Sequence, residues 1–247
     1  MTDWALAAVI GFIAGLADFS VGAGFDALAV PSLILLGKEP QTAIADGLLA
    51  QLVSSTLFGA LKRKAILTRK GAVVIASATA TALALSTASL SVSDAVVRAA
   101  VGSVLILLAT AITVKALVSG LGQGAPDDIS EARLAALAAG AGAVKGFAGS
   151  GMSAVMMLGQ LVLGASVSGA VVMAVAAKSF PAAAALAPRL VSGGLDPATA
   201  LGLTAGAVAS VALAERVRSS VRQSVLSAAL IAYAALTGAY LVITSLK

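Results

Sequence analysis

The sequence predicts an all-α polytopic membrane protein that consists of two repeats of inverted topology. Three observations predict this fold: the composition, an internal duplication and the distribution of basic residues between apolar runs. Of 247 residues, 60% are hydrophobic and 11% are charged, and the mean hydropathy is +1.04. A soluble domain would carry about 25% charged residues, whereas several runs here reach the roughly 20 apolar residues that cross a bilayer.

The duplication is centred on a glycine-broken turn that is followed by a short apolar run. The two copies read SVGAGFDALAVPSLILLG at residues 20–37 and GSGMSAVMMLGQLVLG at residues 149–164. Gly24 aligns with Gly151 at an offset of 127 positions (151 minus 24), and the same offset aligns Gln51 with Lys178. Just before the turn, the first copy has four additional residues, 18–21. We therefore divide the chain into transmembrane repeats at 1–118 and 131–247, joined by a cytoplasmic linker at 119–130.

Each repeat is predicted to contain a pair of short helices around the turn and three full transmembrane helices. In the first repeat, short segments at 4–17 and 25–36 precede spans at 42–61, 71–90 and 95–118. In the second repeat, short segments at 134–148 and 152–163 precede spans at 167–187, 198–214 and 225–246. A short pair is either a re-entrant hairpin, whose tip lies inside the membrane, or two tilted spans.

The basic residues predict the orientation of the chain. The two basic clusters lie in the predicted loops 62–70 and 215–222, and the positive-inside rule places both loops in the cytoplasm. The corresponding stretches of the opposite repeat, 189–196 and 89–94, carry little charge. Equivalent loops are therefore expected on opposite sides of the membrane. This makes the repeats inverted and puts both termini outside.

The composition also excludes several classes of function. The chain has no cysteine and no histidine, which excludes disulfides, thiolate chemistry, zinc and haem ligation, and Ser-His or Cys-His nucleophiles. We therefore expect no cofactor and no enzymatic activity. The net charge of +5 is scattered between apolar runs without interleaved aromatic residues, so we expect a lipid bilayer and no nucleic acid around the chain.

Lys178 is the strongest candidate for binding an anion. It lies near the middle of the predicted span 167–187, where a lysine costs about 2.5 to 3.5 kcal/mol. Pro181 follows three residues later and removes a backbone hydrogen bond beside it. A kinked helix with an intramembrane cation suits an anion site. An internal ion pair with Asp18 or Asp46 is the alternative interpretation of this lysine.

The glycine turns are the second part of the predicted anion site. A short helix begins at about Gly24 and at about Gly151, and a helix start presents unpaired N–H groups with a partial positive charge. Glycine lets an anion approach these groups closely. If the repeats are inverted, the two tips can meet near the midplane, with Lys178 providing a full charge and Gln51 a neutral donor. The predicted substrate-binding residues are Gly22, Gly24, Phe25, Gln51, Gly149, Ser150, Gly151, Met152, Ser153 and Lys178.

Three aspartates are candidates for binding a coupling proton or sodium ion. Asp18 belongs to the four-residue insertion, where a carboxylate is costly unless it faces water or a cation. Asp26 and Ser153 follow the glycines, and helix capping is their simpler interpretation. Asp46 lies one turn into its span, close enough to the outer face to be hydrated. Lys145 precedes the second turn and either snorkels to the surface or pairs with Asp18.

These features resemble the TauE/SafE sulfite exporter family over nearly the whole chain. The resemblance rests on the size, the two halves and the glycine-rich turn of each half, with Gly22, Gly24 and Pro31 in the first and Gly149 and Gly151 in the second. It implies the export or uptake of a small sulfur-containing anion, such as sulfite or an organosulfonate, across the cytoplasmic membrane.

Three classes of function remain open on the residues alone. A secondary transporter of small anions is favoured by the inverted repeat and the paired turns. An intramembrane hydrolase is suggested by the stretch Gly149-Ser150-Gly151, but without histidine such a serine needs a lysine base. A passive anion channel or an assembly subunit would show flux without coupling, or no flux at all.

Overall fold

The computed structural model describes residues 4–21, 24–61, 67–117, 129–165, 167–220 and 223–246. The predicted site residue Gly22, the basic stretch 62–66 and residues 119–128 of the predicted linker lie outside the described residues. The helices are α1 (Trp4–Val21), α2 (Phe25–Leu35), α3 (Pro40–Leu61), α4 (Arg69–Ser89), α5 (Asp94–Leu117), α6 (Glu131–Ala148), α7 (Met152–Val162), α8 (Val167–Ala176), α9 (Ser179–Val191), α10 (Pro197–Ser220) and α11 (Gln223–Ser245).

The helices expose many large apolar side chains and bury several charged ones, as expected in a bilayer. Pro40–Leu61, Arg69–Ser89 and Pro197–Ala214 are the helices, within the described part of the chain, that are long and apolar enough to cross a membrane. Large apolar side chains such as Trp4 and Leu201 are exposed, whereas several charged side chains are fully buried. Soluble proteins rarely bury several charged side chains. Together with the long apolar helices, this confirms the prediction of an all-helical membrane protein.

The contacts between helices repeat from one half of the chain to the other. α1 packs along α10, and its counterpart α6 packs along α4. α2 packs on α3 as α7 packs on α8, and α5 packs against its own counterpart α11. The duplication in the sequence is therefore accompanied by a duplication in helix packing.

Glycines bring two of these helix pairs into backbone contact. A Cβ atom at Gly206 of α10 would lie 1.9 Å from the Ala8 carbonyl oxygen of α1. A Cβ atom at Gly142 of α6 would lie 2.2 Å from the Ala78 carbonyl oxygen of α4. Small residues take this role in membranes because lipid is as apolar as the helices, so close van der Waals packing has to hold them together.

We expect Gly142→Ala to destabilise the protein by about 1–3 kcal/mol, because its methyl group would overlap the α4 backbone. Gly140 provides a matched control on the same helix, since a Cβ atom there would meet nothing within 4 Å. Gly140→Ala should be neutral or stabilising by up to about 1 kcal/mol. Thermal unfolding in detergent measures both variants, and equal effects would contradict the close α4–α6 contact.

The first short pair, α1 and α2, is a hairpin that begins and ends at one end of the bundle. At its start, a Cβ atom at Gly202, near the beginning of α10, would lie 2.4 Å from the Trp4 carbonyl oxygen. At its end, Lys38 forms an ion pair with Asp196, the residue before α10. We call this the Asp196 end. Because α2 has 11 residues, the tip of the hairpin lies roughly 16 Å away from it.

α4 connects the Asp196 end to the opposite end of the bundle. At the last residue of α4, the Ser89 carbonyl oxygen accepts a hydrogen bond from Gln41 Nε2 at 3.0 Å, beside the end of the first hairpin. At the first residue of α4, about 30 Å away, Arg69 Nε lies 3.0 Å from Glu131 Oε1 at the start of α6. We call this the Arg69 end.

The prediction of one continuous span at 167–187 is wrong, because two shorter helices occupy this stretch. Ala177 and Lys178 form a turn between α8 and α9. Pro181 accounts for the break, since it has no N–H to donate to the Ala177 carbonyl oxygen. A helix that restarts at Ser179 avoids this loss, because the N–H groups of a first helical turn have no partner within the helix. The counterpart in the first half, α3, is continuous.

Three further boundaries differ from the predicted ones. α1 continues to Val21, so Asp18 lies within a helix and not in the turn, and the predicted four-residue insertion is wrong because α1 and α6 both have 18 residues. α10 continues to Ser220, through most of the predicted loop 215–222. Arg189, which was assigned to a loop, lies in the last turn of α9 and is fully buried. A helix persists past such residues because the backbone in a membrane must stay hydrogen-bonded whichever side chain it carries.

Candidate functional site

Two buried ion pairs lie inside the bundle. The Lys178 ammonium contacts the Asp18 carboxylate, and Lys145 Nζ lies 2.7 Å from Asp26 Oδ2. The four side chains are at most 3% exposed, and we call them the charge cluster. Its formal charge is zero. Pairing explains why it can be buried, since a single unpaired charge would be very costly at this depth.

The charge cluster is assembled from helix ends on both halves of the chain. Asp18 comes from the last turn of α1 and Asp26 from the first turn of α2, whereas Lys145 comes from the last turn of α6. Lys178 lies in the turn that separates α8 from α9. Asp26 at a helix start and Lys145 at a helix end complement the helix dipole. Asp18, an acid at a helix end, does not, and its charge is balanced by the ion pair with Lys178.

Three glycines with positive φ produce the two hairpin turns. Gly24 precedes α2 with φ 87°, Gly149 follows α6 with φ 69° and Gly151 precedes α7 with φ 85°. Residues that have a Cβ atom rarely adopt this conformation, so these positions require glycine. The Gly149 N–H also closes α6 by donating to the Lys145 carbonyl oxygen at 2.8 Å.

The two turns lie against each other. A Cβ atom at Gly24 would lie 3.8 Å from both the Cβ and the Oγ of Ser153. Ser153 is in the first turn of α7, so the starts of α2 and α7 are neighbours. Helix starts present N–H groups that have no intrahelical partner. One of these groups is used within the protein, because the Gly24 N–H donates to Asp18 Oδ1 at 3.0 Å.

Buried polar atoms beside the turns have no hydrogen-bond partner among the described residues. They are Ser150 Oγ, Ser153 Oγ and Asp26 Oδ1, each on a buried side chain. Buried polar atoms are normally paired, so these are the atoms to which a bound ligand or a water would supply partners. Hydroxyl donors beside helix starts suit an anion. The described part of the chain has no group of three His, Cys, Asp or Glu residues that could hold a metal ion.

The other predicted site residues take different positions. Gln51 lies in the middle of α3, where its Oε1 accepts a hydrogen bond from Lys145. Lys145 therefore neither snorkels nor pairs with Asp18, and those predictions are wrong because burial between helix ends makes Asp26 and Gln51 its partners. Phe25 and Met152, which follow the two glycines, are buried in the two hydrophobic cores.

Asp46 belongs to a second network, at the Asp196 end. Its Oδ1 accepts the backbone N–H of Asp196 at 2.9 Å, and its side chain is fully buried. The expectation that Asp46 is hydrated is therefore wrong, because the backbone of the loop before α10 covers it. The Asp196 carboxylate accepts hydrogen bonds from Lys38 and Thr199. The network ties the end of the first hairpin to the start of α10.

The hydrogen bond from Lys38 lowers the pKa of Asp196 to about 2. Because the folded pKa lies below the unfolded value of about 4, the stabilisation is complete above about pH 4 and is lost as the pH falls through about 2. We therefore expect Asp196→Asn to lower the Tm clearly at about pH 5 and much less at about pH 2. Thermal unfolding at both values measures this, and an equal difference at the two values would contradict it.

Arg189 is a buried cation whose position the sequence did not indicate. Its Nη2 donates to the Gly146 carbonyl oxygen at 3.0 Å and to Ser89 Oγ at 2.9 Å, and its Nη1 donates to Ser86 Oγ and the Ala185 carbonyl oxygen. The Gly146 carbonyl belongs to the last turn of α6, where carbonyls have no intrahelical partner. Arg189 therefore caps α6. An arginine directly before a predicted loop looks like a loop residue in the sequence.

The fold and the site together define a polytopic membrane protein in which two broken hairpins meet at a buried charge cluster, an arrangement typical of proteins that carry a solute through the bilayer. The family model Sulfite exporter TauE/SafE matches residues 7–241. The chain belongs to this family of membrane transporters, which confirms the resemblance and implies a small anionic substrate. No curated protein and no solved structure matches the chain.

Proposed function

We propose that the protein is a secondary transporter that moves sulfite or an organosulfonate across the cytoplasmic membrane by alternating access. The family supplies the class of substrate. The observation that carries the proposal is that two glycine-broken helix starts meet beside buried hydroxyls that have no partner among the described residues, in a bundle with two buried lysines. Helix starts and lysines attract oxyanions, and transporters bind their solutes between such broken helices.

In this proposal the anion lies between the two turns. Lys178 supplies the full positive charge, and Gly24 and Gly151 let the anion approach the backbone N–H groups. Ser150 and Ser153 supply hydroxyl donors, in keeping with the absence of any partner for their oxygens among the described residues. The two halves of the site come from the two halves of the chain, so that a change in how the halves pack changes access to it.

Inverted topology of the repeats supports alternating access. α4 begins at the Arg69 end, whereas its counterpart α10 begins at the Asp196 end. Inverted halves can exchange conformations and so open a central site to either side in turn. We place the Arg69 end in the cytoplasm, beside the basic stretch 62–70, and both termini outside.

Single introduced cysteines test this topology, because the chain has no cysteine of its own that would react with the label. We expect Lys64→Cys and Arg218→Cys to react with a membrane-impermeant maleimide only from the cytoplasm, and Ser192→Cys only from outside. Labelling of intact cells and of inverted vesicles measures the sidedness. Finding positions 64 and 192 on the same side would contradict the inverted repeat.

A proton or a sodium ion drives transport in this proposal, and the carboxylates are the candidates for binding it. Asp18 and Asp26 each contact a buried lysine, so their charge is linked to the charge of the anion. Asp46 instead binds the backbone at the Asp196 end. We therefore assign coupling to the two aspartates of the charge cluster.

A passive anion channel is the alternative function of the same site. Hydrolysis is disfavoured, because Ser150 Oγ has no partner among the described residues and both lysines of the charge cluster are held by aspartates. A serine nucleophile in this chain would need one of these lysines as its base. We therefore propose that the protein is not an enzyme.

Proteoliposomes containing the purified protein test the proposed function. We expect labelled sulfite or a labelled organosulfonate to accumulate against its gradient when a proton or sodium gradient is imposed. A channel would only equilibrate the label. Absence of protein-dependent flux under every imposed gradient would contradict both the transporter and the channel.

A further inference from the structure

We propose that the Asp18 carboxylate is a tethered counter-anion that occupies the anion site of the substrate-free protein, and that an entering oxyanion displaces it and makes it take up a proton. This inference rests on the proposed function. It goes further by naming the internal competitor of the substrate and the group that couples transport to protons.

The contacts of Asp18 carry the inference. One oxygen, Oδ2, is bound to the Lys178 ammonium, and the other, Oδ1, accepts the Gly24 N–H at 3.0 Å. The Lys178 ammonium and the Gly24 N–H are groups that the proposed site would offer to a substrate: its full positive charge and one of its two helix starts. A carboxylate with both oxygens used in this way stands in for a sulfite or sulfonate group, which can also present two oxygens at once.

The duplication gives this carboxylate no acidic counterpart. At the offset of 127 residues that aligns Gly24 with Gly151, α1 aligns with α6 and Asp18 aligns with Lys145. The second turn itself carries no acid, and Ser150 Oγ and Ser153 Oγ have no partner among the described residues. One half of the site is filled by the protein itself, whereas hydroxyl donors remain for a ligand in the other half.

Displacement of Asp18 changes its preferred protonation state. The charged groups that face it are Lys178 from the α8–α9 turn, Asp26 from α2 and Lys145 from α6. When an anion takes over Lys178, the remaining cation is already held by Asp26 at 2.7 Å. A buried carboxylate without a cation and beside a second carboxylate favours its neutral form. A proton from solution then binds an Asp18 oxygen, and Lys178 keeps its own proton.

The charge balance fixes the coupling. The substrate-free cluster has two positive and two negative charges, and binding of a monovalent anion together with one proton leaves this sum at zero. One proton therefore travels with each monovalent anion and in the same direction. The site should also prefer oxyanions over halides, because one halide ion cannot replace both oxygens of the Asp18 carboxylate.

The test counts protons taken up when the purified full-length protein binds an anion in weakly buffered detergent solution. Sulfite and methanesulfonate are the probes, and the second stays ionised throughout. We expect the wild type to take up about one proton per bound methanesulfonate. Infrared difference spectra locate this proton, because a protonated carboxyl group has a band that an ammonium group lacks, and this band should appear in the wild type and be absent from Asp18→Asn. Asp196→Asn, which changes a carboxylate outside the site, should behave as the wild type.

Each outcome bears on a different claim. Anion binding that produces no protonated-carboxyl band in the wild type, or the same band in Asp18→Asn, would overturn the tethered counter-anion and leave the transporter intact. Binding of methanesulfonate to the wild type without proton uptake would overturn it too, even if Asp18→Asn failed to fold. Failure of both anions to bind the wild type would contradict the proposed function itself.

Discussion

Replacing Lys178 with methionine should abolish the uphill transport of sulfite. The proposed site then loses its full positive charge, and a charge-assisted hydrogen bond contributes about 1.5–3 kcal/mol, so affinity should fall by up to roughly 100-fold. Lys178→Arg keeps the charge and should lose less. Flux into proteoliposomes and sulfite binding in detergent measure the three proteins. Arg133→Met, which removes an exposed cation from α6, is the control and should transport normally.

The single substitution also leaves the Asp18 carboxylate without its cation. The double variant Lys178→Met with Asp18→Asn removes both charges, and it should unfold near the temperature of the wild type while transport remains lost. This separates a loss of the anion site from a loss of the fold. Wild-type sulfite affinity in the folded double variant would contradict the role of Lys178.

Arg189→Met should give the largest loss of stability, on the order of 3 kcal/mol. The substitution leaves the Gly146 carbonyl oxygen without its buried donor, and an unsatisfied buried group costs about 1–3 kcal/mol. It also removes the bonds that Ser86 Oγ and Ser89 Oγ accept from the guanidinium, although both hydroxyls still donate to backbone carbonyls. Arg189→Lys should lose nearly as much, because one ammonium cannot reach all the acceptors that the planar guanidinium bridges. Thermal unfolding in detergent measures both variants.

Arg133→Met serves as the control here as well. It removes the same charge from an exposed position, and surface substitutions usually change the free energy of unfolding by less than about 0.5 kcal/mol. A Tm for Arg189→Met that matches the control would show that the buried guanidinium does not hold α4, α6 and α9 together.

The parts of the fold that sequence predicted are those set by local composition and by the duplication. Apolar runs and glycine turns located nearly every helix, because burial in lipid and positive φ are properties of single positions and short windows. The sequence predicted a kinked helix at Lys178, whereas the structure has two separate helices there. Whether a helix bends or restarts after Pro181 depends on the partners its freed carbonyls find in other helices, and the sequence does not contain that information.

The charges of the candidate site were recognised as candidates, but their pairing was only partly predicted. The ion pair of Lys178 with Asp18 was one of the alternatives, whereas Lys145 was not expected to bind Asp26. Pairing depends on which helix ends come together, at sequence separations of 119 and 160 residues. Arg189 was missed because its acceptors are serine hydroxyls and backbone carbonyls, which leave no charge pattern in a sequence.

The central claim is that one anion binds between the two glycine turns, and a structure of the protein with bound sulfite tests it most directly. We predict density for the anion within hydrogen-bond distance, about 3 Å, of Lys178 Nζ and of the backbone at Gly24 or Gly151, with the Asp18 carboxylate turned away from Lys178. Density for sulfite at either end of the bundle, far from both turns and with the Lys178–Asp18 pair intact, would contradict the claim.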